Sequence, residues 1–378
     1  MLQPVVHMAS MVLGLSNRHF TQLSGKNRQQ ILLVAFLVST MLWLSLVRYR
    51  QIRLHENVDP PLKLSPIPTF RHVSVYRRAP DVIFENFLDS VLVNLKLSYA
   101  GSYDRDVWPK KVFQTAKKVD KKYMEAVSSW SRLNPEHEHV LMNDVTATEF
   151  VEKAFLSAPQ VVHLYNSFPN PVLKADLLRY LLLYLYGGVY ADIDVYCRKP
   201  IAEWLPEKLW KSNADIIVGV EIDEPYAMEE SQKLWGWHRP FGFAQYTIVS
   251  KPFARPVRTA IVRVVAHAHH LAKLKNKANP ALLSRYSGED IYEISGPGVW
   301  TDALIDSMNY KRKDISWAQF YGMTEPTILP TEGGAVMALP IQYFGNGQKH
   351  SNAGDYSHEQ ACVTHLFTKS WKRNSWFL

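Results

Sequence analysis

Cysteine is scarce in this chain, with only Cys197 and Cys362 among 378 residues. The two are far apart in sequence and form no CxxC pair, which argues against a thiolate metal site. In an oxidising compartment they could form a disulfide, and otherwise they would be small buried apolar side chains. The sequence leaves these two alternatives open.

Other features that would assign the chain to a class are also missing. There is no internal repeat, no low-complexity tract and no Asn-x-Ser/Thr sequon, so we expect no N-glycan on the chain itself. With 47% hydrophobic and 21% charged residues, the composition excludes a disordered chain. The net charge of +8 is spread along the sequence without a nucleic-acid recognition motif, so we predict no nucleic-acid partner. It suits a membrane surface or a phosphate-bearing substrate.

One long segment, residues 31–47, contains no charged residue. As a helix it would be about 26 Å long, enough for a thin bilayer. A buried core helix would normally carry a polar stripe, and a cleaved signal peptide would have a shorter leader and a small-residue cleavage site. We therefore predict a signal-anchor transmembrane helix at 31–47 after a cytoplasmic tail at 1–30. Both flanks are basic, so charge alone does not orient the anchor.

Downstream of the anchor, composition divides the chain again. Residues 48–105 are proline-bearing and read as a stem, with one helix expected over 81–97. From Trp108 onward strand and helix patterns alternate, which predicts an α/β domain over 106–378. Strands are expected at 112–115, 139–142, 216–220 and 246–250, and helices at 121–133, 146–155, 171–186 and 254–274. Thr146 or Thr148 is the expected cap of the second helix.

The helix predicted over 171–186 leads into the most informative part of the sequence. Asp176 and Arg179 share one face of this otherwise apolar helix, where a buried charge pair is costly unless it binds something. Gly187-Gly188 then turns the chain into a strand. Strand alternation would point Asp192 and Asp194 in one direction, and Val189, Ala191 and Ile193 into the core.

Two carboxylates at this spacing, just past a buried strand, predict a site for Mn²⁺ or Mg²⁺. Such a metal would bridge a pyrophosphate and stabilise the departing nucleoside diphosphate. A phosphohydrolase can also use a DxD pair, but it would need an apolar strand running directly into the motif. Here the motif follows a helix and a Gly-Gly turn, which favours a reaction that releases a nucleoside diphosphate over phosphate hydrolysis.

The segment KADLLRYLLLYLYGGVYADIDVYCRKPI resembles glycosyltransferase family 32, the DxD sugar transferases. Segments at 237–248, 295–302 and 365–372 are most similar to the fungal initiating α-1,6-mannosyltransferases of the Golgi. The resemblance covers roughly 108–372. It implies an α/β fold of the GT-A type: a nucleotide-sugar-binding, Rossmann-like mixed sheet with flanking helices, here joined to an N-terminal transmembrane helix.

The resemblance also implies roles for individual residues. The implied metal ligands are Asp192, Asp194 and His365, and the implied catalytic residues are Asp192, Asp194 and Asp302. The implied donor-binding residues are Gln114, Asp176, Arg179, Tyr190, Trp300, Ser370 and Trp371. His365 could instead be a core histidine, Trp300 simple core packing, and Asp302 a helix cap.

The implied activity is metal-dependent transfer of mannose from GDP-mannose to a glycan or glycoprotein, with retention of configuration and an α-1,6 linkage that initiates the outer chain on the N-glycan core. Because no placed nucleophile with a partnered acid is evident, we favour a front-face reaction in which the leaving phosphate helps to deprotonate the acceptor. The enzyme would be a single-pass type II protein of the Golgi or ER–Golgi membrane, with a lumenal catalytic domain. Alternatives are an inositol phosphorylceramide acceptor and an inactive GT-A-fold scaffold.

Two segments depart from the family pattern. Residues 253–256 stand where relatives often have a Gly-His-Pro turn, and residues 344–350 are unusually polar and glycine-bearing. Both are candidates for the acceptor side of the site.

Overall fold

The structure, a computed structural model, describes residues 74–99, 103–104, 107–227 and 229–368. The predicted membrane anchor at 31–47 lies outside these ranges, as do Ser370 and Trp371. Across the described ranges, no helix combines the length and the apolar character that crossing a bilayer requires.

The α/β domain predicted from the alternating pattern is present. Its helices are α1 (Val82–Ser98), α2 (Met124–Leu133), α3 (Asp144–Ala154), α4 (Pro159–Ser167), α5 (Pro171–Tyr186), α6 (Glu207–Trp210), α7 (Glu229–Trp235), α8 (Arg255–Leu274), α9 (Gly288–Ile294), α10 (Pro297–Met308) and α11 (Ile341–Phe344). Its strands are β1 (Lys111–Thr115), β2 (Glu138–Met142), β3 (Gly188–Ala191), β4 (Val195–Cys197), β5 (Ala214–Asp223), β6 (Phe241–Ser250), β7 (Thr327–Thr331), β8 (Gly334–Leu339) and β9 (Val363–His365).

The main sheet of the described region has seven strands in the order β2-β1-β3-β6-β5-β8-β7. Strands β2, β1 and β3 are mutually parallel, whereas β6 runs antiparallel to both β3 and β5. Strand β8 is parallel to β5 and antiparallel to β7. Every residue of β6 is buried, as expected for a strand covered on both faces of the sheet. The sheet is therefore mixed, as the family resemblance implies.

Helix α5 occupies the interval that the sequence predicts. Pro171 is in its first turn, where a missing N–H costs nothing, and Gly187 caps its C-terminus with φ +63°. A Cβ on Gly187 would lie 2.7 Å from the Ser250 carbonyl oxygen, and one on Gly188 would lie 2.6 Å from that of Lys111. The two glycines thus let the chain leave the helix and enter β3 in close contact with both neighbouring strands.

A small second sheet joins the end of the described chain to the segment that follows β3. Strands β4 and β9 pair antiparallel, with Val195 opposite His365 and Cys197 opposite Val363. Cys197 and Cys362 are free, buried thiols, and burial raises their pKa to about 11 and about 12. Of the two alternatives for the cysteines, the structure shows the buried apolar one.

The helix expected within the stem is α1, and it packs against the α/β domain. The Tyr184 hydroxyl donates to the Leu92 carbonyl at 2.7 Å, and Arg258 pairs with Asp89 at 2.7 Å. Just before α1, the Tyr76 hydroxyl donates to Asp290 at 2.6 Å. Residues 74–98 are therefore built into the folded domain, although the stem boundary at 105 itself stays a prediction.

Several sequence predictions need correction. Helix α3 begins at Asp144 rather than Thr146, because the Asn143 side chain accepts the N–H groups of Val145 and Thr146 and is the cap. Strand β6 begins at Phe241, well before residue 246. The prediction that Ile193 points into the core is wrong, because residues 192–194 form a turn rather than strand and leave Ile193 partly exposed.

A buried ionic cluster ties α9 and α10 to the start of β6. Arg239, only 1% exposed, is bonded to Glu293 at 3.0 and 2.5 Å and to Asp302 at 2.7 and 3.1 Å. Asp302 also accepts the Ser74 N–H at 2.9 Å. Arg239 thus places its positive charge between two buried carboxylates and lowers the cost of burying them.

We expect Arg239→Met to lower the free energy of unfolding by about 3–5 kcal/mol, because Glu293 and Asp302 would lose their buried partner. Denaturant unfolding followed by circular dichroism measures this. Arg312→Met, which breaks an exposed pair with Asp314, is the matched control and should leave stability unchanged. Equal effects of the two substitutions would contradict a structural role for the cluster.

Candidate active site

The Asp192-Ile193-Asp194 turn lies directly after β3, in the middle of the sheet. The Asp192 N–H donates to the Tyr246 carbonyl at 2.9 Å, and the Val195 N–H donates to the Asp192 carbonyl at 3.0 Å. The first bond attaches the turn to β6, and the second closes it. Its backbone is therefore held by the sheet, which favours precise placement of the two carboxylates.

Arg179 links helix α5 to this turn. Its guanidinium donates to Asp176 Oδ1 and to Asp192 Oδ1, each at 2.9 Å, and it lies over the Tyr190 ring at 4.7 Å. The other oxygen of Asp176 accepts the Ser295 hydroxyl at 2.8 Å. Burial disfavours the cation, but the charges of Asp192 and Asp176 outweigh it and raise the pKa of Arg179. The predicted shared face of Asp176 and Arg179 is confirmed.

Gln114 and Tyr190 support the turn from the β1 side. The Gln114 amide donates to the Asp192 carbonyl at 3.1 Å, and its oxygen lies 2.9 Å from His139 Nε2. The Tyr190 hydroxyl is 3.1 Å from Thr115 Oγ1. Both side chains are buried beside the turn, and donor contact by either one stays a prediction.

Asp194 is held by residues from the end of the described chain. Its Oδ1 lies 3.3 Å from His365 Nε2, and its Oδ2 accepts the Thr368 hydroxyl at 2.7 Å and the Thr368 N–H at 3.2 Å. Burial raises the pKa of this carboxyl, but the bonds from His365 and Thr368 outweigh it and lower the pKa to about 2. Asp194 is therefore ionised at any physiological pH.

His365 is packed between aromatic rings at the same point. Its ring centroid lies 4.0 Å from that of Tyr246 and 4.1 Å from that of Phe367. No described residue offers a hydrogen-bond partner to its buried Nδ1. Because buried His267 also has a ring nitrogen of this kind, the ligand role of His365 stays a prediction beside the core alternative.

A divalent metal fits this donor set when a substrate completes it. Among the described residues, no three His, Cys, Asp or Glu side chains are arranged to hold an ion by themselves. Mg²⁺ commonly takes one or two protein carboxylates together with substrate phosphates and water. Asp192 and Asp194 offer such carboxylates, and the adjacent His365 ring leaves one nitrogen without a partner.

Glu221 is a site residue that the sequence analysis missed. It lies on β5 within electrostatic reach of His365 and Asp192. Burial raises the pKa of its carboxyl to about 7; the His365 charge acts against this rise and that of Asp192 adds to it. The available signal was a single acidic residue within the apolar strand sequence ADIIVGVEID. Above about pH 7 the ionised Glu221 carboxylate would add to the negative charge of Asp194 and make the site more attractive to a cation.

Trp300 and Asp302 are not presented to the turn. Trp300 is fully buried, donates its indole N–H to the Ala244 carbonyl at 3.2 Å and packs on Tyr180. Both oxygens of Asp302 are occupied by Arg239 and the Ser74 N–H. Trp300 therefore matches the core-packing alternative. Asp302 lies inside α10, so it does not cap that helix.

One family model and three known proteins are similar in sequence to this chain. The family model described as a glycosyltransferase sugar-binding region containing a DXD motif matches residues 120–210. An initiation-specific alpha-1,6-mannosyltransferase of Candida albicans is 30% identical over 313 residues, which cover 75% of this chain and 77% of that protein. A Schizosaccharomyces pombe protein of the same name is 32% identical over 279 residues, covering 71% and 65%. Inositol phosphoceramide mannosyltransferase 3 of S. pombe is 28% identical over 151 residues, covering 37% and 42%.

Glu221→Gln should make stability less dependent on pH. With a folded-state pKa near 7 against an ordinary value of 4.5, Glu221 favours folding below pH 4.5, and this contribution is lost as pH rises through about 7. We therefore expect the variant to gain in Tm relative to the parent between about pH 5 and about pH 8, measured by thermal unfolding with a chelator present. Glu125→Gln, at an exposed helix position, is the control. A gain that is the same at both pH values would disprove the assignment.

Proposed function

The chain belongs to the family of glycosyltransferases with a DXD-containing sugar-binding region, and we propose that it transfers mannose from GDP-mannose to a glycan. The observation that carries the proposal is the Asp192–Asp194 turn, held by Arg179 on one side and by His365 and Thr368 on the other. The relatives named initiation-specific alpha-1,6-mannosyltransferase support mannose as the sugar and an α-1,6 linkage to the N-glycan core. The mixed sheet, with the motif just after a central strand, supports a GT-A-type fold.

Asp192, Asp194 and His365 would hold the metal, Mn²⁺ or Mg²⁺. When bound, such an ion neutralises charge on the diphosphate as the nucleotide departs. The negative charge of the site supports this proposal, since Asp194 stays ionised and Asp192 is 31% exposed at the side chain. His365 contributes a nitrogen whose ring is fixed by Tyr246 and Phe367.

The remaining residues act by positioning. Arg179 orients Asp192, and Gln114 fixes the backbone of the turn, so the carboxylates are preorganised before substrate arrives. Tyr190, Asp176 and Arg179 lie beside the motif and would shape the donor pocket. The Glu221 carboxyl can hold a proton near neutral pH and faces the same charges. We also propose a front-face reaction that keeps the anomeric configuration of the sugar, in which the donor phosphate assists loss of the acceptor proton.

The comparisons suggest one alternative to a glycan acceptor, a sphingolipid. The S. pombe inositol phosphoceramide mannosyltransferase aligns with a shorter part of the chain, 37%, than the 75% aligned with the Candida protein. The longer match favours a glycan or glycoprotein acceptor over a sphingolipid. An inactive scaffold is disfavoured because the polar contacts around Asp192 and Asp194 are intact.

We further propose that the enzyme works in the Golgi or ER–Golgi membrane. Residues 31–47 would be the signal anchor of a single-pass type II protein, with residues 106–378 in the lumen. The charge-free run at 31–47 and the family of the chain support this location.

The test is GDP release from GDP-mannose by the full-length chain with Mn²⁺, beside UDP-glucose, UDP-galactose and UDP-GlcNAc. We expect turnover with GDP-mannose, loss on chelation and recovery when Mn²⁺ is returned. Asp194→Asn and the Asp192→Ala/Asp194→Ala double variant should each lose roughly hundredfold or more, because the site would lose ligand charge.

Asp314→Asn, at an exposed ion pair, is the control and should keep full turnover. Circular dichroism melts separate lost chemistry from lost folding in the Asp192 and Asp194 variants. Normal metal-dependent turnover by Asp194→Asn would overturn the metal-site proposal, and turnover of a UDP-sugar alone would overturn the donor proposal.

A further inference from the structure

We propose that Trp235, Trp237 and His350 form an acceptor surface, here called the aromatic platform, on which a neutral sugar ring of the acceptor glycan stacks. This inference rests on the proposed function. It identifies the side of the active site from which the acceptor would enter. It does not involve the Asp192–Asp194 turn itself. The three residues come from two segments more than a hundred positions apart in the sequence.

The geometry of the platform is that of two nearly parallel indoles. The rings of Trp235 and Trp237 are inclined by 13° with centroids 6.0 Å apart. His350 packs its edge against both, with centroids 5.2 Å from Trp235 and 4.6 Å from Trp237. Trp235 is 39% exposed and its neighbour Leu234 is 81% exposed. A patch of exposed aromatic and aliphatic surface of this kind marks an interaction site.

A glycine makes this arrangement possible. Residues two apart on a helix do not face the same way, so a continuous helix could not align the two indoles. Helix α7 ends at Trp235, and Gly236 takes φ +69°. The Trp237 N–H then donates back to the Gln232 carbonyl at 2.9 Å. The chain thus folds over the end of α7 and lays the second indole alongside the first.

The platform is tied to the strand that carries Glu221. The Gln348 amide donates to the Glu221 carbonyl at 3.0 Å, and the Asp223 N–H donates to the Ser351 hydroxyl at 3.0 Å. His350 lies between these two anchor points, no more than about 7 Å along the chain from Gln348. Strands β3 and β5 both run antiparallel to β6, so the C-terminal end of β5, near Glu221, lies at the same edge of the sheet as the turn after β3. The platform therefore adjoins the active site at the end of β5.

The chemistry of the platform suits a neutral pyranose. One face of a sugar ring is rich in C–H groups and packs on a flat indole, while its hydroxyls stay at the edge for polar partners. Rigid indoles provide this contact with little loss of conformational entropy. An anionic lipid headgroup would instead need cations as its main partners, whereas the platform presents two indole rings, which carry no charge. We therefore assign the platform to a glycan acceptor.

The experiment compares the full-length chain with Trp235→Ala, Trp237→Ala and the double variant, using a free high-mannose N-glycan as the acceptor probe. We expect the acceptor KM to rise about tenfold in each single variant and further in the double variant, the loss of roughly one stacking contact each. The KM for GDP-mannose and the rate of donor hydrolysis should stay unchanged. Trp237→Phe, which keeps an aromatic face, should recover most of the acceptor affinity.

Tyr310→Ala is the matched control, because Tyr310 is an aromatic residue 46% exposed that stacks on Arg255, outside the platform. Quenching of tryptophan fluorescence by the N-glycan gives a second readout, independent of turnover, which the double variant should lose. An unchanged acceptor KM in the double variant would overturn the platform, as would a loss confined to inositol phosphorylceramide vesicles as acceptor. Absence of GDP-mannose turnover in the parent chain would instead count against the proposed function.

Discussion

The guanidinium of Arg179 is the connection on which the rest of the site depends. It is buried in the middle of the domain and binds one carboxylate on its own helix, Asp176, and one on the turn after β3, Asp192. Removing Arg179 would take the positive partner from both carboxylates, one of which, Asp176, is buried in a medium of low dielectric. Through these ion pairs helix α5 fixes the position of the Asp192 side chain. Pro171 and Gly187 in turn define where that helix begins and ends.

Around this connection, each neighbouring element contributes one contact to the turn. Strand β1 provides Gln114, β6 provides the Tyr246 carbonyl, and the chain after β9 provides Thr368. The result is a pair of carboxylates that need little reorganisation when a cation or diphosphate arrives, which is the form that electrostatic catalysis requires. The exposed side of Asp192 and the unpartnered nitrogen of His365 are the places left for a ligand.

Further contacts join the centre of the site to its surroundings. Glu221 is within electrostatic reach of Asp192 and His365, and its carbonyl accepts the Gln348 amide, so β5 connects the turn to the segment that contains His350. The buried cluster of Arg239, Glu293 and Asp302 contributes rigidity rather than chemistry, and the bond from the Ser74 N–H to Asp302 attaches the start of the described chain to it. Residues 74–98 are therefore part of the folded catalytic domain.

The sequence by itself determined the parts of this protein that depend on near neighbours. A proline and a glycine mark the ends of α5, and helical spacing places Asp176 beside Arg179. The two carboxylates of Asp192-Ile193-Asp194 indicate a site for a hard cation by residue type alone. Only tertiary structure decided the rest. The β4–β9 pairing brings His365 to Asp194, β5 brings Glu221, and Arg239 withdraws Asp302 into the interior. These outcomes join residues far apart along the chain, and the side chain that meets a given charge follows from sheet register and packing, which local patterns do not encode.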